Sequence, residues 1–396
     1  MRLLIIGHDA VSVGAYSIRL RALVRWLSSR GHEVTLVSAV VVPPDDELRS
    51  TCRRFLVFPF QRSSLRSGRL LQHLFNLPDP FAPWARKVAR EIQNIDGANR
   101  PDLILVSSPP HGIQLLGIAL ARYWEATYVA DLRDDWVGNH RTRWLTPLHR
   151  MTARRAEDRM IRAASSVIAN TPLMREQFLT RHPWASAKVA TVTNGFNEEE
   201  FTGLAPTLRA GDRFRVGYVG SDYNGFVPSI LTDVAQRWVT IGEDSKWRLV
   251  VCPGQMYAPT CLPREMWEFL PLMAPGPSAA VMTGCDVLLL FMPPGEKEPS
   301  PTVPLKAYSY LRTGLPVVYC GEAGATTELL GSFAGTFCLP RSTGDQLADF
   351  LISHKQFWGR RYPRERIDFY SFEQVSLRLE ALLLHTVEAH GKTEGR

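Results

Sequence analysis

Cysteine is scarce and scattered in this chain of 396 residues: Cys52, Cys252, Cys261, Cys285, Cys320 and Cys338, with no Cys-x-x-Cys pair. That spacing gives no support to a zinc site. Most of the six lie in apolar, strand-like runs, as buried reduced thiols of a cytoplasmic protein would. No run of about 18 apolar residues occurs, which argues against a membrane-spanning helix. The opening run "MRLLIIGHDA" ends in Gly-His-Asp rather than a cleavage site and reads as a first strand, not a signal peptide. There is no solenoid-length repeat and no low-complexity tract. Gly-x-Gly-x-x-Gly is also missing. The first turn, "GHDAVSVGAYS", carries only Gly7 and Gly14, so nicotinamide or flavin binding loses its strongest sequence support. Gly14 is either a close-approach glycine or a plain turn glycine.

Composition is otherwise that of a globular protein, 45% apolar and 21% charged. The length exceeds what one core supports, so two domains are expected. The net charge of +7 is uneven, because residues 1–200 hold 27 basic and 19 acidic side chains and residues 51–100 alone hold nine and three. A local excess of +6 implies an anionic partner: lipid headgroups, a phosphorylated substrate or nucleic acid. The preference for arginine over lysine is compositional, but it does not explain the clustering. Nucleic acid fits the charge, yet no reading helix or stacking platform accompanies it.

Strands alternate with helices. "RLLIIG", "HEVTLVSAV", "DLILVSS" (102–108), "ATYVADL" (126–132), "SSVIAN" (165–170) and "KVATVTN" (188–194) read as strands. Residues 15–30 place Ile18, Leu20, Leu23, Val24 and Leu27 on one helical face, with Gly31 as the stop, and residues 141–164 read as a further helix. Residues 203–213 are polar with Gly and Pro and read as a linker. A second series follows, with strands at 213–220, 247–252, 286–291, 316–320 and 335–339 and a last helix at 372–388. The expected architecture is α/β: two doubly wound, Rossmann-like parallel-sheet domains facing a cleft, at 1–202 and 203–370, with residues 371–396 forming a C-terminal helix. Ligands in such sheets bind beyond the carboxyl ends of the strands.

Four strand ends carry candidate chemistry. "SSPPHG" (107–112) sets His111 after two stiffening prolines, facing the cleft or simply on a surface loop. "ADLRDDW" (130–136) is the densest polar cluster. Asp131, Arg133 and Asp134 there are either an ion-paired loop anchor or acid, base and positioning groups. "VGYVGSDYNG" (216–225) brings Gly220 and Ser221 to a strand-to-helix turn where backbone N–H groups can meet a phosphate. "SPTVPLKAYSYLRTGLPVV" (300–318) reads as a helix capped by Ser300 or Thr302, with Pro304 in its first turn and Gly314 as its left-handed stop. Lys306 adds a full charge to the positive helix end, a combination suited to a diphosphate. Tyr308 and Leu311 read as core.

These stretches resemble retaining glycosyltransferases of the GT-B architecture, specifically family 4. The resemblance rests on "RLRALVRWLSSRGHEVTLVS", "SSPPHGIQLLGIALARYWEATYVADLRDDW", "TVTNGFNEEEF" and "DVLLLFMPP…VPLKAYSYLRTGLPVVY", in order over most of the chain. The second is similar to a bacterial polysaccharide-biosynthesis subgroup. The resemblance implies a nucleotide-sugar donor on the C-terminal domain, with Thr302, Val303, Lys306, Gly220, Ser221 and Gly254 among its contacts. It implies an acceptor on the N-terminal domain near Gly14 and His111. It also implies that the last helix, within residues 371–396, crosses back to the N-terminal domain, and it implies no cofactor and no metal requirement, since a helix start and basic side chains stand in for a cation.

Two departures stand out. The position where the family carries a ribose-binding Glu is Ser309, and the Arg/Lys pair after the second glycine turn is missing from "SDYNGF". Lys306 then carries the diphosphate, helped by Arg133 from across the cleft, and Ser309, Glu296 or Glu298 meets the ribose. The sequence therefore predicts a cytoplasmic, peripherally membrane-bound glycosyltransferase acting on a lipid-linked or anionic glycan precursor. Residues 51–100 would contact the inner face of the membrane. A non-catalytic GT-B-like binding partner and a nucleotide-sugar epimerase are the alternatives.

Overall fold

The computed structural model describes residues 1–10, 15–40, 46–61, 65–96, 100–139, 142, 144–204, 213–220, 226–252, 262–292, 299–340 and 342–394. The chain forms two compact units. One comprises Met1–Asn194 and Phe372–Arg396, the other Gly195–Ser371.

In the first unit, β1 (Arg2–Gly7), β2 (Glu33–Ser38), β3 (Arg54–Val57), β4 (Leu103–Ser108), β5 (Thr127–Leu132), β6 (Ser166–Ala169) and β7 (Val189–Thr191) form one sheet. Its order is β3-β2-β1-β4-β5-β6-β7, and every pairing is parallel. The helices are α1 (Ala15–Ser29), α2 (Glu47–Thr51), α3 (Arg66–Phe75), α4 (Phe81–Asp96), α5 (Gln114–Trp124), α6 (Pro147–Ala163) and α7 (Pro172–Arg181). β1, β4 and β5 are buried throughout or nearly so, as parallel strands covered on both faces must be. The register sets Gly7 beside Ser107 and Ser107 beside Asp131, so the carboxyl ends of three central strands finish level. The strand order reverses between β1 and β4, where an open α/β sheet leaves a crevice.

The second unit has β8 (Phe214–Val219), β9 (Trp247–Cys252), β10 (Trp267–Phe269), β11 (Val287–Phe291), β12 (Val317–Cys320) and β13 (Thr336–Leu339), ordered β10-β9-β8-β11-β12-β13. Its helices are α8 (Phe226–Thr240), α9 (Pro275–Thr283), α10 (Leu305–Arg312), α11 (Ala325–Gly331) and α12 (Gly344–Ser353). All of its pairings are parallel, and the order reverses between β8 and β11. The last helix, α13 (Phe372–Glu394), belongs to the first unit. Its Glu380 accepts from Trp26 Nε1 at 2.8 Å and lies 2.8 Å from His32 Nε2.

The expected α/β class is what forms. Short strands β3 and β10 were not among the expected strands: β3 opens the apolar run "FLVFPF", broken by Pro59, and β10 is only three residues long. The helix expected at 141–164 begins only at Pro147, where Thr146 accepts from the His149 N–H as its cap. Of the expected linker, 205–212 lie outside the described residues. Cys52, Cys252, Cys285 and Cys320 are buried and free, whereas Cys338 is exposed. α1 departs from its predicted stripe: Arg19 is buried and Ile18 is half-exposed, for a reason that lies in the strand ends.

Candidate active site

At the carboxyl end of the first sheet, Asp131 is level with Ser107 and turns toward α1. Its Oδ1 accepts from Arg19 Nη2 at 3.1 Å and its Oδ2 from Ser107 Oγ at 2.7 Å. The same guanidinium donates to the side-chain oxygens of Asn170 and Asn194 at 3.0 and 3.1 Å and to the Val192 carbonyl at 3.3 Å. A buried charge is tolerated only when paired and hydrogen-bonded, and this one is. The partner of Asp131 is thus Arg19, a residue the periodicity argument passed over. Both oxygens of Asp131 are engaged inside the fold, which is the geometry of an anchor rather than of a group open to a substrate.

Arg133 is also buried, and its Nη2 donates to the Pro109 carbonyl at 3.1 Å while its backbone N–H donates to Ser108 O at 2.9 Å. That places the guanidinium against the "SSPPHG" loop. His111 stacks on Trp136, with ring centroids 5.4 Å apart, and its Nδ1 lies 3.1 Å from Ser108 Oγ. Burial first, and then the Arg133 charge, push His111 down to about 3, so it is neutral at ordinary pH. His8, just past β1, is lowered by burial and by Arg133, partly countered by Asp9. Three strand ends therefore bring His8, His111 and Arg133 together at the switch point. His8 was missed by the sequence reading. Its signal was present, since it directly follows β1 in "GHDA". Asp134 is half-buried, while its neighbour Asp135 is buried and paired with Arg181 Nη2 at 2.6 Å.

A cavity of about 460 Å3 adjoins this cluster, lined by His8, Arg69, Gln72, Asp79, Phe81 and Pro110 among others. Burial raises the Asp79 carboxyl above its usual range, and three backbone hydrogen bonds, from Gly112, Phe81 and Ala82, hold it back.

In the second unit the strand end is sparser. Tyr310 on α10 accepts from the Val219 N–H at 2.8 Å and donates to the Val219 carbonyl at 3.0 Å, clamping α10 to the end of β8. Lys306 then extends over the Tyr218 ring, 4.1 Å from its centroid, and donates to Tyr218 Oη at 2.6 Å. Gly220 has φ +152, and a Cβ there would come 2.8 Å from Lys306 Cδ, so the strand end is shaped for this lysine.

α10 starts at Leu305 with Pro304 at its cap position and no side-chain cap, which corrects the expectation for Ser300 or Thr302. Ser300 is instead drawn into a parallel bridge with Gly324, and the Thr302 carbonyl accepts from Thr326 Oγ1 at 2.8 Å. These bonds hold the lead-in extended. Gly314 has φ +72, the left-handed stop, and Tyr308 and Leu311 are core as expected. Val303 is buried, while Thr302 and Ser309 are half-exposed.

A second cavity, of about 260 Å3, lies at the same carboxyl end, lined by Phe226, Ile230, Met292, Cys320, Gly321, Glu322 and Ser342. Glu322 is buried and was not singled out from the sequence. Gly14, Ser221, Gly254, Glu296 and Glu298 lie outside the described residues. Among the described residues, no group of three His, Cys, Asp or Glu side chains could hold a metal ion.

Comparison with known proteins agrees with this geometry. Residues 14–195 match a family model described as a glycosyl transferase 4-like domain. Sucrose-phosphate synthase from Thermosynechococcus elongatus superposes with a TM-score of 0.70 at 16% identity, covering 98% of this chain and 100% of its own. HepE from Anabaena, solved with UDP and glucose, gives a TM-score of 0.59 at 17% identity, covering 100% and 99%. UDP-GlcNAc 2-epimerase from Methanocaldococcus jannaschii gives 0.59 at 10% identity, covering 97% and 100%. No curated protein matches the chain in sequence. Residues 14–195 thus carry a glycosyl transferase 4-like domain, and the chain over its whole length has the two-sheet GT-B fold.

Proposed function

We propose that the chain moves a sugar from a nucleotide-sugar donor, held by residues 195–371, to a lipid-linked or otherwise anionic glycan precursor met by the first unit. Retention of configuration and independence of metal and cofactor come with the resemblance to family 4. The observation that carries the donor assignment is Lys306, poised over Tyr218 beside Gly220 at the uncapped start of α10. A leaving nucleoside diphosphate gains charge as the glycosidic bond breaks. A lysine and a helix start fixed in advance stabilise that charge without reorganising. Glu322 is the carboxylate lining the adjacent cavity, suited to ribose hydroxyls where Ser309 replaces the usual Glu.

On the acceptor side, a neutral His111 can take a hydrogen bond from an acceptor hydroxyl, and Arg133 offers charge to an anionic group. Asp131 acts through position, by holding β5 to α1. The reaction takes place in the cytoplasm, at the inner face of the membrane.

Calorimetric titration with UDP-, GDP- and dTDP-sugars tests this reading. HepE, with its bound UDP, makes the UDP-sugar the first to try. Binding in the ordinary substrate range, about 1 μM to 1 mM, is expected for one nucleotide. Silence across the panel would favour a non-catalytic GT-B-like module. Conversion of the donor without any acceptor would identify an epimerase.

A further inference from the structure

α3 is amphipathic, and its orientation is inverted. On a 3.6-residue wheel, Leu70, Leu71, Leu74 and Phe75 share one face, and Gly68, Arg69 and Gln72 share the other. A helix on a globular protein normally turns its apolar face inward. Here Phe75 is 74%, Leu70 57% and Leu71 51% exposed, while Arg69 and Gln72 face the protein and line the 460 Å3 cavity beside His8 and Pro110. The patch continues on a neighbouring element. His149 Nε2 lies 2.7 Å from the His73 carbonyl, seating the first turn of α6 against the last turn of α3. Around that turn Leu145, Leu148 and Met151 are exposed as well. Apolar groups gathered in this way on a surface mark an interaction site.

The charge around the patch selects the partner. Residues 61–78 contain three arginines and no acidic residue, and residues 139–156 contain five arginines and no acidic residue. Arg150, Arg154 and Arg155 are exposed. Apolar side chains within an arginine-only surround are the features of a helix lying in the headgroup region of an anionic bilayer.

We infer that the outward face of α3, with the first turns of α6, is a docking surface for an anionic lipid bilayer, with α3 lying in the plane of the interface. Its polar underside then roofs the cavity at the switch point, and a headgroup can enter that cavity without its lipid leaving the membrane. This deepens the reading of the acceptor as lipid-linked and rests on it.

The test is co-sedimentation of the full chain with two kinds of vesicle: phosphatidylcholine alone, and phosphatidylcholine mixed with phosphatidylglycerol. The protein should bind the mixed vesicles and be released by salt. The double variant Leu71→Gln/Phe75→Gln should bind roughly tenfold more weakly. Leu272→Gln, at an exposed leucine of the other unit, should bind as the parent does. Equal binding by the double variant, or no binding by the parent, overturns the inference. So does a parent dimer that the double variant converts to monomer, since a second copy would then cover the face. Thermal melts should agree among all three proteins, because the substituted side chains are exposed. Calorimetric donor binding should be unchanged by the double variant, which keeps failure here separate from failure of the donor assignment.

Discussion

The carboxyl end of β5 packs four charged residues into five positions, Asp131, Arg133, Asp134 and Asp135 among them, while the end of β8 reaches Gly220 with none. The crowded end is mostly stitching. Asp131 is spent on Arg19, Asp135 on Arg181, and Arg133 braces the loop after β4. The sparse end is open to one lysine, which arrives from a helix 86 residues later (220 to 306) and rests on a tyrosine ring. Charge density along a sequence therefore marks where a fold needs holding at least as often as where chemistry occurs. The residues with room to act are the ones that arrive from elsewhere in the chain.

The largest expected effect is on the stitching. Arg19→Ala leaves Asp131 buried without its cation and should destabilise the first unit by about 3–5 kcal/mol in denaturant melts. A loss below about 1 kcal/mol would mean that the pair is not the anchor described, and the contrast between the two strand ends would blur.

Next comes the pH dependence of stability. His111 titrates near 3 in the fold, against an ordinary value of 6.5, so the unfolded chain binds the proton first as the pH falls. Stability is then full above about pH 6.5 and declines below it, by up to about 1.4 kcal/mol per pH unit. Carboxylates held low, such as Asp46 and Glu380, lose their share only in and below the ordinary carboxylate range, while Glu200, pushed up to about 7 by burial, acts in the opposite direction across the upper window, so the histidine share is read from the difference between parent and variant. His8 shares the direction of His111. His111→Gln should flatten most of the slope between pH 6 and 4.5, values chosen inside that window. An unchanged slope would place His111 in contact with water.

At the sparse end, Lys306→Ala should lower turnover by at least about tenfold, or 1.4 kcal/mol of transition-state stabilisation, with little change in stability. A variant that melts early instead would make Lys306 another stitch. The smallest effect is Gly220→Ala. Its Cβ would press on Lys306 Cδ at a backbone angle that side chains rarely adopt, so donor affinity should fall severalfold in parallel with a modest loss of stability.

How much of this was legible differs between elements. The central strands of both sheets were readable because parallel strands buried on both faces are continuous apolar runs, as "LILVSS" and "VLLLF" are, whereas the edge strands β3 and β10 were not. The Gly314 stop and the core roles of Tyr308 and Leu311 followed from turn chemistry and spacing. Arg19 was not legible, since a buried arginine breaks the apolar stripe and its partner is 112 residues away. The place of Lys306 near the start of its helix was readable, but its seat on Tyr218 was not, because no local rule pairs them. α3 shows the limit of periodicity. An amphipathic pattern announces two faces without saying which one turns to the protein.

The most direct measurement is a side-by-side calorimetric titration of the nucleoside diphosphate that the panel identifies into the parent chain and Lys306→Ala. The account predicts saturable binding to the parent and affinity lower by about tenfold in the variant, the loss of one charge-assisted contact. Equal affinity in the two proteins would contradict it and move the donor site away from the end of β8.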